Sequence, residues 1–169
     1  NSAFLYDGID DLIDVGLLNV LEGANQISMS VWIRPDTLLI NHNIITNRLV
    51  NQQSNYMQLK VGSYCSSTSA GMWIAGAGHN AGLSSGIIED NTYHLVGVYN
   101  GDLNQISLYI DGIKKTTLLV NQNICSPSSI PSNSPSNGNN LKFGSGGSVT
   151  GYFKGVIDDI GIWNRALDS

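Results

Sequence analysis

The sequence contains few charged residues, and few of those are basic. Asp, Glu, Lys and Arg make up 12% of the 169 residues, against roughly 25% in ordinary soluble domains. Eight Lys and Arg stand against 13 Asp and Glu, which gives a formal charge of −5. The basic residues are scattered along the chain. Because phosphate contacts need a clustered basic face, a nucleic-acid partner is not expected.

Long apolar stretches and cysteine clusters are also missing. Apolar runs such as 160–163 are far shorter than the ~20 residues that a membrane helix needs, so membrane insertion is not expected. The two cysteines, Cys65 and Cys125, lie in separate Ser-rich segments outside any CxxC or Cys/His cluster. We predict a disulfide between them, which an extracellular context would favour, with two free thiols as the alternative.

Residues suited to catalysis are scarce. The two glutamates, Glu22 and Glu89, are isolated beside turn residues, whereas a glycoside hydrolase needs two facing carboxylates, ~5 Å or ~6.5 to 9.5 Å apart. Residues 82–86 match the G-x-S-x-G nucleophile pattern, but that motif needs a following helix, and residues 87–99 predict a turn and a strand. We therefore expect no catalytic centre, and a small hydrolase is the least favoured alternative.

The three histidines show no spacing typical of a zinc site. His42, His79 and His94 are far apart in sequence, without an HxH or HExxH arrangement. His94 lies inside an apolar segment that predicts a strand, so we expect it to pack rather than to bind a metal. His79 lies in a Gly-rich segment, which predicts a loop.

Short segments with the pattern of β-strands are abundant. Residues 27–33 alternate between apolar and other side chains, and a Pro-Asp turn signal follows them. Residues 93–99 precede Asn-Gly and residues 106–110 precede Asp-Gly, the strongest short hairpin signals. We predict an antiparallel meander in the middle of an all-β fold, and a single domain over residues 1–169.

Two segments interrupt this pattern. The apolar residues of 9–21 recur at helical spacing, with aspartates opposite them, so this segment taken alone predicts an amphipathic helix. Gly8, Gly16 and Gly23 weaken that prediction. Residues 125–140 are almost entirely Ser, Pro and Asn, which predicts a long loop.

Four blocks in order resemble the laminin G-like jelly-roll domains of the concanavalin A-like lectin/glucanase superfamily. They are the opening residues 3–15, the Ile-Ser-Met-Ser-Val-Trp-Ile-Arg-Pro segment 27–35, the central hairpin 93–112, and the closing segment 153–167. The resemblance implies an antiparallel β-sandwich of about twelve strands, in which residues 9–21 form strands and a loop. It also implies a secreted or cell-surface location, and we interpret the chain as a domain of a larger protein.

The resemblance implies a non-catalytic binding module for a polysaccharide or surface glycan. A protein-binding domain or a structural spacer of an adhesin is the alternative, because this fold does not determine the ligand. Sugar binding needs exposed aromatic faces and polar groups for the hydroxyls. The loop residues that we expect to supply them are Tyr64, Trp73, His79, Asn80 and Tyr152. Trp32 and Trp163 lie in alternating apolar strands, and we predict that both belong to the core.

Acidic residues concentrate near the two ends of the chain. One group contains Asp7, Asp10, Asp11 and Asp14, and the other is the pair Asp158-Asp159. The first and last strands pair in the jelly roll that the chain resembles, which would bring the two groups together. Calcium binds six to eight oxygen ligands, many of them carboxylates. We therefore predict a structural Ca²⁺ site from Asp7, Asp10, Asp11, Asp158 and Asp159, with turn capping as the alternative role.

Overall fold

The regular structure of the chain is almost entirely β. The computed structural model describes residues 2–21, 24–38, 42–48, 57–64, 67–74, 81–103, 105–119, 139–145 and 151–168. In these ranges the strands are β1 Phe4–Asp7, β2 Ile13–Gly16, β3 Gln26–Pro35, β4 His42–Thr46, β5 Met57–Tyr64, β6 Ser67–Ile74, β7 Ala81–Ser85, β8 Tyr93–Asn100, β9 Gln105–Ile110, β10 Ile113–Leu119, β11 Leu141–Phe143 and β12 Lys154–Trp163. A single turn of 3-10 helix covers Asn19–Leu21.

The strands form two six-stranded antiparallel sheets. Sheet 1 has the order β1-β12-β3-β8-β9-β10, and sheet 2 has the order β2-β11-β4-β5-β6-β7. The first and last strands are neighbours in sheet 1, with Phe4 level with Ile157. The predicted β-sandwich of the concanavalin A-like type is confirmed. In the part of the chain that the structure describes, no helix is long and apolar enough to cross a membrane.

The core lies between the sheets and follows the alternation of the strands. On β3 the side chains that enter the hydrophobic core are those of Ile27, Met29, Val31 and Ile33. They pack against core residues of sheet 2, which include Ile44, Ile45, Met57, Leu59, Met72 and Ile74. Since successive side chains of a strand point to opposite faces, the even-numbered residues of β3 lie on the outer face of sheet 1. That outer face holds the candidate site described below.

The central meander is confirmed, with one difference in its turns. Asp111 and Gly112 between β9 and β10 both have positive φ, 53° and 74°, as a two-residue hairpin turn requires. The β8–β9 connection is longer, because Asn100 pairs with Gln105 across four intervening residues. Gly101 there donates its N–H to the Asn25 carbonyl at 2.8 Å, and a side chain at Gly101 would overlap Asn25. Contact with the chain entering β3 therefore determines this loop.

Residues 9–21 form no amphipathic helix, as the resemblance implies. They contain β2, which pairs with β11, and the short 3-10 turn. Ile9, Leu12 and Leu17 are exposed, whereas Leu21 is buried in the core. The segment lacks the continuous buried stripe that stabilises a surface helix, and sheet pairing outweighs its helical periodicity. Most of the predicted loop 125–140 lies outside the described residues.

Candidate functional site

An open cleft of about 390 Å³ lies on the outer face of sheet 1. Its lining residues are Ala3, Trp32, Ile33, Arg34, Thr92, Val156, Asp158 and Asp159. The register of three neighbouring strands places Asp158 of β12, Trp32 of β3 and His94 of β8 in one row. Trp32 is 42% exposed, which is unusual for so large an apolar side chain. The prediction that Trp32 belongs to the core is therefore wrong.

The Trp32 indole is supported on one side by His94. The two rings are stacked, with their centroids 5.0 Å apart and an interplanar angle of 27°. His94 Nε2 lies 2.7 Å from the Ser30 hydroxyl oxygen, and the His94 backbone N–H donates to the Asp111 carboxylate at 2.8 Å. His94 packs, as predicted. Since His94 occupies the β8 side of the indole, the opposite side faces β12 and the cleft.

A β-bulge in β12 forms the acidic wall of the cleft. Asp158 is level with Trp32 but Gly161 is level with Ser30, so β12 has one more residue than β3 in this interval. Asp159 adopts a φ of 47°, and its N–H donates to Asp158 Oδ1 at 2.9 Å. Bulges bend a strand and redirect its side chains. Here the bulge places two adjacent carboxyl groups beside the exposed indole.

The cleft carries more negative than positive charge. Arg34 is its cationic residue among those described, and its guanidinium forms an ion pair with Asp36 at 3.3 Å. Asp158 and Asp159 have no cationic partner within 4.0 Å in the described part of the chain. The Thr92 hydroxyl adds a neutral polar group to the lining. The cleft thus combines an aromatic face, hydrogen-bonding groups and a surplus of carboxylate.

A second acidic group lies in the loop that follows β1. Carboxylate oxygens of Asp7, Asp10 and Asp11 lie within 4.8 Å of one another, and all three residues are exposed. Asp11 Oδ2 accepts the Asp7 N–H at 2.8 Å, and Asp7 Oδ1 accepts the Ile9 N–H at 2.7 Å. Burial, with the charge of Asp11, raises the pKa of Tyr6 to about 12. The loop thus gathers negative charge at the edge of the sandwich.

The two acidic groups do not meet, although their strands pair. Asp7 is level with Lys154, whereas Asp158 lies four residues further along β12. At about 3.3 Å of rise per residue, that separation is about 13 Å along the strand. The predicted five-residue calcium site therefore divides into Asp7, Asp10 and Asp11 at one end of β1 and Asp158 with Asp159 at the other.

The family of the chain follows from a match along nearly its whole length. Residues 7–169 match a laminin G-like family model described as the concanavalin A-like lectin/glucanases superfamily. The chain belongs to this superfamily. No curated protein matches the sequence of this concanavalin A-like domain at a significant level.

Solved structures share the fold of this concanavalin A-like domain at low identity. A mutant of NanB sialidase from Streptococcus pneumoniae is 19% identical, with a TM-score of 0.73 over 99% of this chain and 26% of that chain. The Ruminococcus gnavus IT-sialidase CBM40 is 12% identical, with a TM-score of 0.72 over 99% and 92%. Domain 4 of AbnA, an extracellular arabinanase from Geobacillus stearothermophilus, is 17% identical, with a TM-score of 0.63 over 98% and 72%. The chain thus spans about a quarter of the sialidase.

The predicted ligand residues of this concanavalin A-like domain lie away from the cleft or outside the described residues. Trp73 on β6 is 5% exposed, and Lys60 Nζ lies 4.2 Å from its ring centroid. A buried indole covered by a cation presents no free face to a sugar. Burial, with the charge of Arg48, lowers the pKa of Lys60 to about 8. Tyr152 is half-buried, and its carbonyl lies 2.7 Å from His42 Nδ1.

The remaining predicted residues have no described side chain. Tyr64 ends β5, level with Ser67, and nothing further is described of its side chain. His79, Asn80, Cys65 and Cys125 lie outside the described residues, so their predicted roles, including the disulfide, stay predictions.

Sequence reasoning missed Trp32, Arg34 and Thr92, although one signal for Trp32 was present. The apolar core residues of β3 from Ile27 to Ile33 are odd-numbered, and Trp32 shares its parity with the polar residues Ser28, Ser30 and Arg34. A period-two strand with three polar residues on one face predicts that a tryptophan on that face is exposed. Arg34 and Thr92 carry no such signal, because their place in the cleft depends on strand pairing.

Proposed function

We propose that this domain is a non-catalytic carbohydrate-binding module, and that its glycan lies on Trp32 in the cleft of sheet 1. The exposed indole in a cleft that also carries carboxyl groups supports the proposal most directly. The apolar face of a pyranose ring stacks on an aromatic face, while nearby carboxylates and hydroxyls bind the sugar hydroxyls. Asp158, Arg34 and Thr92 supply such groups around Trp32.

Two similar structures support a glycan as the ligand. The Ruminococcus gnavus CBM40 is known bound to α2,3-sialyllactose, and domain 4 of AbnA is known in complex with arabinotriose. Domains of this fold are thus parts of carbohydrate-active enzymes. By the same reasoning we propose that this domain belongs to a longer secreted or cell-surface protein.

The carboxylates of the cleft support binding rather than hydrolysis. A glycosidase needs one carboxyl group on each side of the scissile bond. In the described lining of the cleft, Asp158 and Asp159 are consecutive residues of one bulge, and Trp32, Arg34 and Thr92 face them. Neither carboxyl group therefore has a partner across the cleft.

The proposal is tested by direct binding to immobilised arabinan, xylan, cellulose, chitin and sialylated glycans. We expect binding to at least one of these glycans and a clear loss of affinity in Trp32→Ala. Ile113→Ala, which changes an exposed apolar residue of the β9–β10 hairpin, is the matched control. Absence of binding to every glycan would favour the protein-binding or spacer function instead. An affinity unchanged by Trp32→Ala would place the glycan elsewhere.

We also propose that Asp7, Asp10 and Asp11 hold a structural Ca²⁺ ion. Three carboxylates with oxygens within 4.8 Å of one another repel, and a calcium ion that accepts them as ligands removes that repulsion. Asp158 and Asp159 are too far along β12 to join this set.

Calcium binding is expected to stabilise the fold. A ligand that binds only the folded state raises the free energy of unfolding by about 2.7 kcal/mol when its free concentration is one hundred times its dissociation constant. We expect a chelator to lower the melting temperature, added Ca²⁺ to restore it, and Asp10→Asn to abolish the response. Asp168→Asn, which removes another exposed carboxylate, should respond like the parent protein. A melting temperature independent of Ca²⁺ would exclude the site.

A further inference from the structure

A second exposed tryptophan lies on the same face as the cleft. Trp163 of β12 is level with Ser28 of β3 and is 36% exposed, so the prediction that it belongs to the core is also wrong. The six-membered ring of Trp163 lies over Gly161, where an added methyl group would overlap it. Because Gly161 has no side chain, the indole extends over β12 at Gly161, in the direction of Trp32.

The C-terminal segment determines where the open part of this face ends. Ser28 donates its hydroxyl to the Arg165 carbonyl at 2.9 Å and accepts the Leu167 N–H at 3.0 Å. Residues 165–167 therefore cross the outer face of sheet 1 at Ser28, directly beside Trp163. Trp163 extends away from this segment, over Gly161 and toward the cleft.

The backbone positions beneath the Trp163 ring and at Trp32 lie further apart than one sugar ring spans. Gly161, which lies beneath the Trp163 ring, is level with Ser30, two residues from Trp32 on the same face of β3. One strand spacing of about 4.8 Å and two residues of rise of about 6.7 Å give about 8 Å between these backbone positions. The Asp158 carboxylate, level with Trp32 on β12, lies beside this interval, whereas the Ser30 hydroxyl is buried and bonded to His94. Two aromatic faces at this separation fit two units of one glycan chain better than a single sugar.

We propose, on the basis of the function proposed above, that this surface binds a neutral oligosaccharide with one sugar on Trp32 and another on Trp163. The charge of the cleft decides the class of glycan. Asp158 and Asp159 repel an acidic sugar, and Arg34 is already paired with Asp36. A sugar hydroxyl, in contrast, donates well to a carboxylate. The ligand therefore differs in charge from the sialyllactose bound by the Ruminococcus gnavus domain.

The test measures affinity against chain length by titration calorimetry. The probes are arabinose, arabinotriose and arabinohexaose, the corresponding glucose and cello-oligosaccharides, and lactose against α2,3-sialyllactose. In at least one neutral series, the hexasaccharide should bind about tenfold or more tightly than the monosaccharide, because it covers a second aromatic face. α2,3-Sialyllactose should bind no more tightly than lactose.

Two variants remove the second aromatic face by different routes. Trp163→Ala deletes the indole, and Gly161→Ala displaces it with a methyl group. Each should weaken hexasaccharide binding about fivefold or more and leave monosaccharide binding unchanged, since Trp32 is intact. Trp163→Phe should recover part of the loss. A far-ultraviolet circular dichroism spectrum and a melting curve for each variant show that the fold persists.

The outcomes separate this inference from the proposed function. Affinity independent of chain length, or a hexasaccharide affinity unaffected by Trp163→Ala and Gly161→Ala, would refute the second platform. If Trp32→Ala still weakened binding, the proposed function would stand. Tighter binding of sialyllactose than of lactose would refute the neutral class. Failure of every glycan to bind would refute both proposals.

Discussion

The cleft predicts a defined loss of affinity when Trp32 is replaced by alanine. A large aromatic side chain offers up to ~250 Å² of surface, and with 42% of Trp32 exposed about 100 Å² is available to a ligand. At about 25 cal/mol per Å², covering all of it contributes about 2.5 kcal/mol. Because His94 already supports one side of the indole, a sugar covers only part of that area. We therefore expect Trp32→Ala to cost about 1 to 2.5 kcal/mol, or about five- to seventyfold in affinity.

The assay is titration calorimetry of the best-binding glycan with the parent protein, Trp32→Ala, Trp32→Phe and Ile113→Ala. Trp32→Phe keeps a smaller aromatic face and should lie between the parent and Trp32→Ala. Ile113→Ala should bind like the parent, because Ile113 lies on the β9–β10 hairpin outside the cleft. A loss below twofold in Trp32→Ala, with the fold intact, would refute the placement of the glycan on this indole.

Two further predictions concern stability. Phe153→Ala should reduce the free energy of unfolding by about 3 to 5 kcal/mol in urea denaturation, because Phe153 is fully buried against Tyr6 and His42. Phe4→Ala, at an exposed phenylalanine, should change the free energy of unfolding by about 0.5 kcal/mol or less. Equal losses in the two variants would contradict the packing of Phe153. Burial lowers the pKa of His42 although its bond to the Tyr152 carbonyl opposes this. The folded-state pKa therefore lies below the unfolded value of about 6.5, so stability is complete above that pH and is lost as pH falls through the folded-state pKa. As the pH falls from 7.5 to 4.5, the melting temperature should drop less steeply in His42→Gln than in the parent protein. Parallel curves for the two proteins would contradict this.

The fold was predictable because its determinants are local and repeated. Alternation of apolar residues in 27–33 specifies a strand with one buried face, and Asp111-Gly112 specifies a tight turn through positive φ. The four blocks of the resemblance then implied the jelly roll and the pairing of its first and last strands. Residues 9–21 show the limit of local signals, because their helical spacing competed with a pairing partner, β11, more than a hundred residues away.

The candidate site was less predictable, and the reason differs between residues. The outward position of Trp32 follows from strand parity, which the sequence alone contains. Its neighbours depend on register: the Asp158 bulge, the His94 stack and the distance from Asp7 to Asp158 all arise from long-range strand pairing. A one-residue change of register exchanges the two faces of a strand. Sequence by itself thus determined the sandwich and the alternation along β3. Tertiary pairing decided which side chains share a face with Trp32, because His94 and Asp158 lie more than sixty positions away from it in the chain.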